Sequence, residues 1–170
     1  MTDHLAVRRT TANDGALIRQ LRISVLTDAP YAFGAKLEAV LAEPLSAFEV
    51  TALCHAESET STSFIALIDG NPVGMIGAFH EPQSQRNFIC ALWLEPRHRG
   101  TSIAAELVNT AVSWLRQHSE QAVFAWVADA NLRARAFYQK LGFVTTEMHQ
   151  PLPSCTTEYE TLLSLDNLTR

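Results

Sequence analysis

The sequence lacks several features that mark large classes of protein. Its 170 residues include only three cysteines, Cys54, Cys90 and Cys155, which form neither a disulfide framework nor a metal-binding cluster. The densest apolar run, residues 88–94, is seven residues long, whereas a membrane span needs about 20. Because the first residues lack the apolar core of a secretion signal, we expect a cytoplasmic protein without membrane contact.

The sequence also has little positive charge. Thirteen Lys and Arg stand against eighteen Asp and Glu, a formal net charge of −5, so the basic excess of a nucleic-acid binder is missing. A mildly acidic surface weakly favours amine substrates. With 47% hydrophobic residues, a chain of this length is expected to form one domain over residues 1–170.

Hydrophobic periodicity predicts strands and helices that alternate along the chain. The expected strands are residues 5–9, 64–68, 73–79, 87–94, 121–127, 143–148 and 157–165. The expected helices are residues 12–26, a weaker one between 44 and 54, one of about four turns from 103, and residues 131–141. The polar stretch 57–63 is predicted to be a surface loop. This mixture of hairpins and crossover helices predicts a mixed α/β sheet.

One chemically informative segment, residues 92–104, joins a buried strand to a helix through a basic turn with one glycine. Unpaired backbone N–H groups at a helix start suit a phosphate or pyrophosphate. Gly100 permits a conformation or an approach that a Cβ would block, and Arg97 and Arg99 add permanent charge. The alternative is a solvated basic turn before an ordinary helix, because one glycine is a weak signal.

The second informative segment is residues 131–143, a short helix ended by a glycine. Asn131 stands at the expected N-cap, where its side chain either caps the helix or reaches a ligand. Tyr138 shares a face with Ala134 and Leu141. It is either a core tyrosine or a general acid that protonates a departing thiolate.

Together the two segments resemble the GNAT superfamily of acyl-CoA-dependent N-acetyltransferases. Residues 99–104 (RGTSIA) are similar to the family pattern (Arg/Gln)-x-x-Gly-x-(Gly/Ala), with Ser102 in place of the middle glycine. At a helix start we expect a negative φ for Ser102, which a serine tolerates while keeping its N–H. Residues 21–38 resemble a subgroup with an Asp-x-Pro-x-Ala-Phe-Gly segment. The later pattern is matched at Asn131, Ala134, Tyr138, Lys140, Gly142 and Phe143.

The resemblance implies a single-domain GNAT fold of the α/β (α+β) type. Its mixed, mostly antiparallel sheet is splayed between strands 4 and 5 and carries helices on both faces. It also implies acetyl-CoA as co-substrate, without a metal. The backbone of Leu92, Trp93 and Leu94 is implied to hold the pantetheine arm, with Asn131 beside it. The pyrophosphate is implied to be held by Arg99, Gly100, Thr101, Ser102, Ile103 and Ala104. Tyr138 is implied to protonate the leaving CoA thiolate.

The acceptor is expected to be a primary amine, in the first place that of a small molecule, which attacks the thioester of acetyl-CoA directly. A protein or peptide N-terminal or lysine acetyltransferase and a non-catalytic acyl-CoA-binding module are the alternatives, and a homodimer is left open. Residues 31–63 and 148–156 are expected to shape the acceptor site. Cys90 is expected to be buried and inert. The base is unassigned, between a water chain and Glu38, His80, Glu81 or Glu95.

Overall fold

The computed structural model describes residues 4–30, 36–153 and 155–166. Its strands are β1 (Leu5–Arg9), β2 (Ser61–Ile68), β3 (Asn71–Glu81), β4 (Arg86–Leu94), β5 (Val123–Ala128), β6 (Val144–Leu152) and β7 (Cys155–Leu165). Its helices are α1 (Gly15–Asp28), α2 (Leu37–Ala42), α3 (Leu45–Glu57), α4 (Ile103–His118) and α5 (Leu132–Lys140). None of these helices is long and apolar enough to cross a membrane.

The strands form one sheet in the order β1-β2-β3-β4-β5-β7-β6. Each pair of neighbours is antiparallel except β4 and β5, which are parallel and joined by α4. A parallel pair requires a crossover connection, and the amphipathic α4 supplies it. The predicted fold class, a mixed and mostly antiparallel sheet with helices, is therefore confirmed.

Helices cover both faces of the sheet because successive strand residues point to opposite sides. In β2, Phe64 and Ala66 belong to the core that α4 closes, together with Leu107. Between them, Ile65 faces the other way and packs with Leu21 of α1. The sheet therefore separates two apolar layers.

The sheet parts between β4 and β5. Their ladder consists of two residue pairs, Asn87 with Val123 and Phe88 with Phe124, although β4 continues to Leu94. A bulge follows at Ala91, where φ is +51° and the register with β3 shifts. Such bulges bend a strand and raise its local twist. The predicted splay of the sheet is thus present, and it leaves one side of β4 open.

The structure differs from the sequence prediction at the start of β2. Residues 57–63 were expected to be a loop, but the strand begins at Ser61, and Thr62 and Ser63 are buried. The Thr62 hydroxyl donates to the backbone carbonyl of His55 over 2.8 Å. The Ser63 hydroxyl lies 2.6 Å from that of Thr10. Polar side chains fit inside here because α3 and the end of β1 provide their partners.

The remaining differences are in the number and length of elements. The short helix α2 has six residues and one buried side chain, Val40, which is too little periodicity to be read from a sequence. Strand β6 continues to Leu152, whereas its predicted end is residue 148. Strand β7 begins at Cys155, two residues before its predicted start at 157. Residues 31–35 of the subgroup segment lie outside the described residues.

Candidate active site

A cavity of about 420 Å³ opens where β4 and β5 part. It lies between the inward side of α1, the strands β3 and β4, and the far strands β5 and β7. Its lining is predominantly apolar, which is the usual character of a small-molecule site. The lining residues are Arg22, Val25, Leu26, Met75, Phe79, Phe88, Ile89, Cys90, Ala91, Trp126, Leu152, Pro153 and Glu160.

The turn before α4 has the backbone that an anion site requires. Gly100 has φ +86°, and a Cβ there would meet nothing within 4 Å, so the glycine serves a backbone conformation and not a close approach. Ser102 has φ −71° and ψ −11°, the negative φ expected for it. The first turn of α4 leaves N–H groups without helical acceptors. Thr101 orders the turn, because its hydroxyl donates to the carbonyl of His98 over 2.7 Å.

Arg99 is engaged within the chain. Its Nε donates to the carbonyl oxygen of Leu94 over 3.1 Å, and its Nη2 forms an ion pair with Asp28. The indole N–H of Trp93 donates to the same carboxylate over 2.9 Å. Arg99 therefore joins the end of β4 and the turn before α4 to the last residue of α1. Its predicted contact with a pyrophosphate stays a prediction.

The residues implied to pair with a pantetheine arm follow the bulge in β4. The side chains of Trp93 and Leu94 are buried, and Leu92 is half-buried against the main core. The side chains of Trp93 and Leu94 are therefore enclosed by the protein, and a ligand would reach these two residues through their backbone. Asn131 caps α5, since its Oδ1 accepts from the N–H of Ala134 over 3.0 Å. Of the two roles expected for Asn131, helix cap or ligand contact, the structure shows the helix cap.

Tyr138 is buried in α5, with 6% of its surface exposed. Its ring packs edge-on against Phe137 and Phe143, at centroid distances of 5.3 and 5.2 Å. Its hydroxyl makes no hydrogen bond with any residue that the structure describes. Burial raises the pKa of Tyr138, and the nearby thiol of Cys90 adds to this effect. The phenol is thus protonated at neutral pH, the state that a proton donor requires.

Cys90 corrects an expectation. It was predicted to be buried, but its side chain is exposed and lines the cavity, because β5 has already left β4 at this point. The surrounding protein still desolvates the thiol and raises its pKa to about 11, although Arg22 acts in the opposite direction. A thiol with this pKa carries little thiolate at neutral pH, so it is a poor nucleophile.

Two charged residues of the cavity were missed by sequence reasoning. Arg22 lies on α1 in the same stripe as Val25 and Leu26, and all three line the cavity. An arginine on the inward stripe of an amphipathic helix is the signal that could have identified it. Glu160 of β7 is buried and accepts a hydrogen bond from Gln150 Nε2 over 2.7 Å.

None of the base candidates considered from the sequence lines the cavity. Glu95 accepts from Arg97 over 2.8 Å, and Glu81 accepts from the hydroxyl of Ser84. His80 lies 3.0 Å from the Asn87 side chain. Glu38 is exposed on α2. Glu160 is the one carboxylate among the described residues that lines the cavity.

Comparison with known proteins places this geometry in a family. Residues 26–143 match the model of the Acetyltransferase (GNAT) family. An uncharacterised N-acetyltransferase from Methanocaldococcus jannaschii is 27% identical over 90 residues, which cover 50% of this chain and 40% of that protein. The chain spans less than half the length of the curated relatives it matches.

Solved structures share the whole fold. The ribosomal-protein-S5-alanine acetyltransferase from Vibrio fischeri has a TM-score of 0.80 at 15% identity, over 99% of this chain and 96% of that one. A protein from Salmonella typhimurium, solved with its cofactor acetyl-CoA, has a TM-score of 0.71 at 13% identity, over 98% and 95%. At such identities the likeness concerns the fold, while the family model covers more than half of the sequence. The chain therefore belongs to the GNAT family of N-acetyltransferases.

Proposed function

We propose that this protein transfers the acetyl group of acetyl-CoA to the primary amine of a small molecule by direct attack. The observation that carries the proposal is the gap in the sheet. The open side of β4 after the bulge at Ala91 lies between the start of α4 and a cavity of about 420 Å³. An extended thioester arm in that gap would present its acyl group to an amine in the cavity. Holding two reactants in such an orientation is a large part of catalysis.

The start of α4 fits the pyrophosphate of acetyl-CoA. Thr101, Ser102, Ile103 and Ala104 would bind it through their N–H groups, in the positive field of the helix terminus. The ligand would replace two long contacts, from the Thr101 N–H to the His98 carbonyl over 3.4 Å and from the Ile103 N–H to the Thr101 hydroxyl over 3.5 Å. Gly100 sets the turn with its positive φ. The Salmonella typhimurium structure with acetyl-CoA supports the choice of cofactor.

The open edge of β4 fits the pantetheine arm. Leu92, Trp93 and Leu94 would offer backbone groups to it much as a strand offers them to a neighbour. Asn131 starts α5 on the other side of the gap. Acetyl-CoA supplies the activated acyl group.

The side chains in and around the cavity suit a one-step transfer. The amine nitrogen attacks the acyl carbon, the carbon–sulfur bond breaks, and Tyr138 donates its proton to the departing sulfur. Glu160, the carboxylate of the cavity, takes the proton that the amine loses. A route through an acetylated Cys90 is disfavoured, because desolvation by the surrounding protein raises the pKa of that thiol and keeps it protonated.

The shape of the cavity favours a small acceptor. Its volume of about 420 Å³ lies within the range of about 300–1,000 Å³ that is usual for small-molecule sites. The Vibrio fischeri neighbour is named for a ribosomal-protein acceptor, so a peptide acceptor is the competing candidate. The single domain over residues 1–170, the cytosolic location and the oligomeric state stay predictions.

Two measurements test the proposed function. Calorimetric titration with acetyl-CoA should show binding, and loss of the thioester should follow when small primary amines are added. N-terminal and lysine-containing peptides of matched concentration form the control panel. Faster turnover of peptides would favour a protein acetyltransferase, and binding without turnover of any amine would favour a non-catalytic module. Absence of acetyl-CoA binding would overturn the proposal.

A further inference from the structure

We propose that Arg22 binds a carboxylate of the acceptor, so that the substrates are small amines with an apolar body and one carboxylate group. This inference rests on the proposed function and narrows its acceptor. The feature that points to it is a guanidinium that lines an apolar cavity and is unpaired among the residues that the structure describes. The proposal concerns free small molecules and not peptide chains.

Arg22 differs from the arginines around it. Arg8 pairs with Asp14 and Arg99 with Asp28, whereas Arg22 has no ion pair or hydrogen bond with the residues that the structure describes. It is exposed, yet it lines the cavity together with Val25 and Leu26. A guanidinium offers forked donors that match a carboxylate in a bidentate geometry. Arg22 is therefore available to an anionic group that enters the cavity.

The field of Arg22 reaches groups on two sides of it. It lowers the pKa of His55, a residue of α3 whose pKa burial already lowers. It also lowers the pKa of the Cys90 thiol. The Cys90 thiol in turn raises the pKa of Tyr138. Arg22 and Cys90 also line the same cavity, so the positive charge lies on the wall that an acceptor would contact. A carboxylate bound there orients the rest of the acceptor.

The remaining lining defines the rest of the substrate. Aromatic and aliphatic side chains form most of the wall, among them Phe79, Phe88 and Trp126, and they favour an apolar body. Glu160 is the acidic side chain of the lining and lies on β7, across the gap from α1. It would receive the amine end. Among the described residues, Arg22 is the one cationic side chain that lines the cavity. A singly charged carboxylate therefore fits better than a doubly charged phosphate.

Matched pairs of amines test the carboxylate preference. 4-(Aminomethyl)benzoate is compared with 4-methylbenzylamine, and phenylalanine with phenethylamine, as acceptors for the wild-type protein. We expect kcat/KM for at least one carboxylate amine to exceed that of its neutral partner by about tenfold or more, the range of a charge-assisted contact. Equal values within both pairs would overturn the proposal.

Variants of α1 assign the preference to Arg22. Arg22→Gln should remove the difference in kcat/KM within each pair, mainly by raising KM for the carboxylate amine, because the contact holds a part of the acceptor that does not react. Arg22→Lys should restore part of it. Arg19→Gln is the matched control, since Arg19 contacts the carbonyl of Leu41 over 3.5 Å and does not line the cavity. An equal loss for both members of a pair in Arg22→Gln would overturn the proposal.

A binding measurement separates this inference from the proposed function. 4-Methylbenzoate, which has no amine, is titrated calorimetrically into wild-type protein and Arg22→Gln, with 4-methylbenzamide as the uncharged control. Binding of the carboxylate that weakens about tenfold in the variant supports Arg22 even where no amine is acetylated. Failure of acetyl-CoA to bind would remove the proposed function alone. Acetylation of amines without any dependence on Arg22, or no carboxylate binding at all, would remove this inference.

Discussion

The two ends of the site are built in opposite ways. At the start of α4, six consecutive residues, 99–104, form a turn and a helix terminus, and the proposed function uses their backbone N–H groups. In the cavity, side chains from α1, β3, β4, β5, β7 and the β6–β7 turn meet across the gap in the sheet. A site made of backbone groups can bind the same ligand whichever side chains its residues carry. In a cavity lined by side chains, each substitution in the wall changes which ligand fits. If the proposed function is correct, the start of α4 is a fixed cofactor end and the cavity is a variable acceptor end.

The reactivity of Cys90 tests the cavity end and carries the largest expected effect. Desolvation by the cavity wall raises its pKa from 9.0 to about 11, which reduces its thiolate about a hundredfold below that of an ordinary thiol. Cys155 is half-buried, and its pKa is lowered because Thr157 hydrogen-bonds the sulfur. Alkylation by iodoacetamide at pH 7.5, followed by peptide mass spectrometry, should label Cys155 more than about a hundredfold faster.

The pH dependence of labelling checks the cause. The rate at Cys90 should keep rising up to about pH 11, because the thiolate fraction grows until the pH reaches the pKa. The rate at Cys155 should level off earlier. If Cys90 reacted as fast as Cys155 at pH 7.5, its thiolate would be accessible, and an acyl-cysteine route would have to be reconsidered.

Tyr138→Phe tests the proposed general acid, a core residue of α5 that is not part of the cavity lining. The hydroxyl has no hydrogen-bond partner among the described residues, and the ring keeps its contacts with Phe137 and Phe143. We therefore expect kcat to fall about 10–100-fold, the low end of general acid catalysis because thiols leave readily. The affinity for acetyl-CoA and the melting temperature should change little.

The matched control for this variant is Tyr159→Phe. Tyr159 is exposed on β7 and stacks on His149 at a centroid distance of 4.7 Å, so the loss of its hydroxyl should leave kcat unchanged. Unfolding of Tyr138→Phe would identify a structural tyrosine. Full activity would mean that the thiolate takes its proton from water.

Gly100→Val tests the backbone end. A valine cannot adopt φ +86° without strain, so the turn before α4 should deform and acetyl-CoA should bind about tenfold or more weakly. Gly100→Asn should keep most of the affinity, because asparagine tolerates this region. Gly70→Val is the control, since Gly70 has φ +82° in open space within the β2–β3 turn. It should lower stability and leave calorimetric affinity for acetyl-CoA unchanged.

The contrast between the two ends also explains what the sequence could predict. Residues 99–104 and 131–143 are continuous in sequence, and the splayed sheet followed from the family that they resemble. Strand β1 and the core of α4 were found because their periodicity is local. Arg22 and Glu160 lie 138 positions apart in the chain and meet at one cavity only through the sheet order β3-β4-β5-β7. No local pattern contains that information.

Cys90 shows a second limit of sequence reasoning. In a run of apolar residues a cysteine is read as core, and its neighbours Phe88 and Ile89 are indeed buried. Its exposure to the cavity depends on where β5 departs and on the bulge at Ala91. Both are properties of the pairing between strands, which a strand's own sequence does not encode.

Arg99→Ala tests whether the cofactor end needs a side chain as well as backbone. We expect KM for acetyl-CoA to rise about three- to tenfold with a smaller change in kcat, because a phosphate far from the reacting carbon is held equally in ground and transition states. Asp28→Asn is the control. It removes the charge that Arg99 meets and keeps an acceptor for the Trp93 indole.

The two variants distinguish whether Arg99 binds the pyrophosphate or only stabilises the contact between α1 and the turn before α4. If Arg99 binds the pyrophosphate, Asp28→Asn should leave KM unchanged or lower it, because it frees the guanidinium. If Arg99 acts only as a brace between α1 and the turn before α4, both variants should raise KM and lower the melting temperature together. Steady-state kinetics with varied acetyl-CoA and thermal unfolding of both proteins decide between the two roles.

Ser102→Gly is expected to have the smallest effect. Ser102 is already in a helical conformation, with φ −71° and ψ −11°, so a glycine is not required there. Its hydroxyl donates to Glu106 over 3.2 Å, and its N–H is kept in the variant. A glycine costs a helix start only a few tenths of a kcal/mol relative to serine. Calorimetry should therefore find acetyl-CoA affinity equal to wild type or tighter by at most about threefold.

A loss of tenfold or more would show that the hydroxyl itself binds a phosphate oxygen. The cofactor end would then depend on side chains, and its contrast with the cavity would fail.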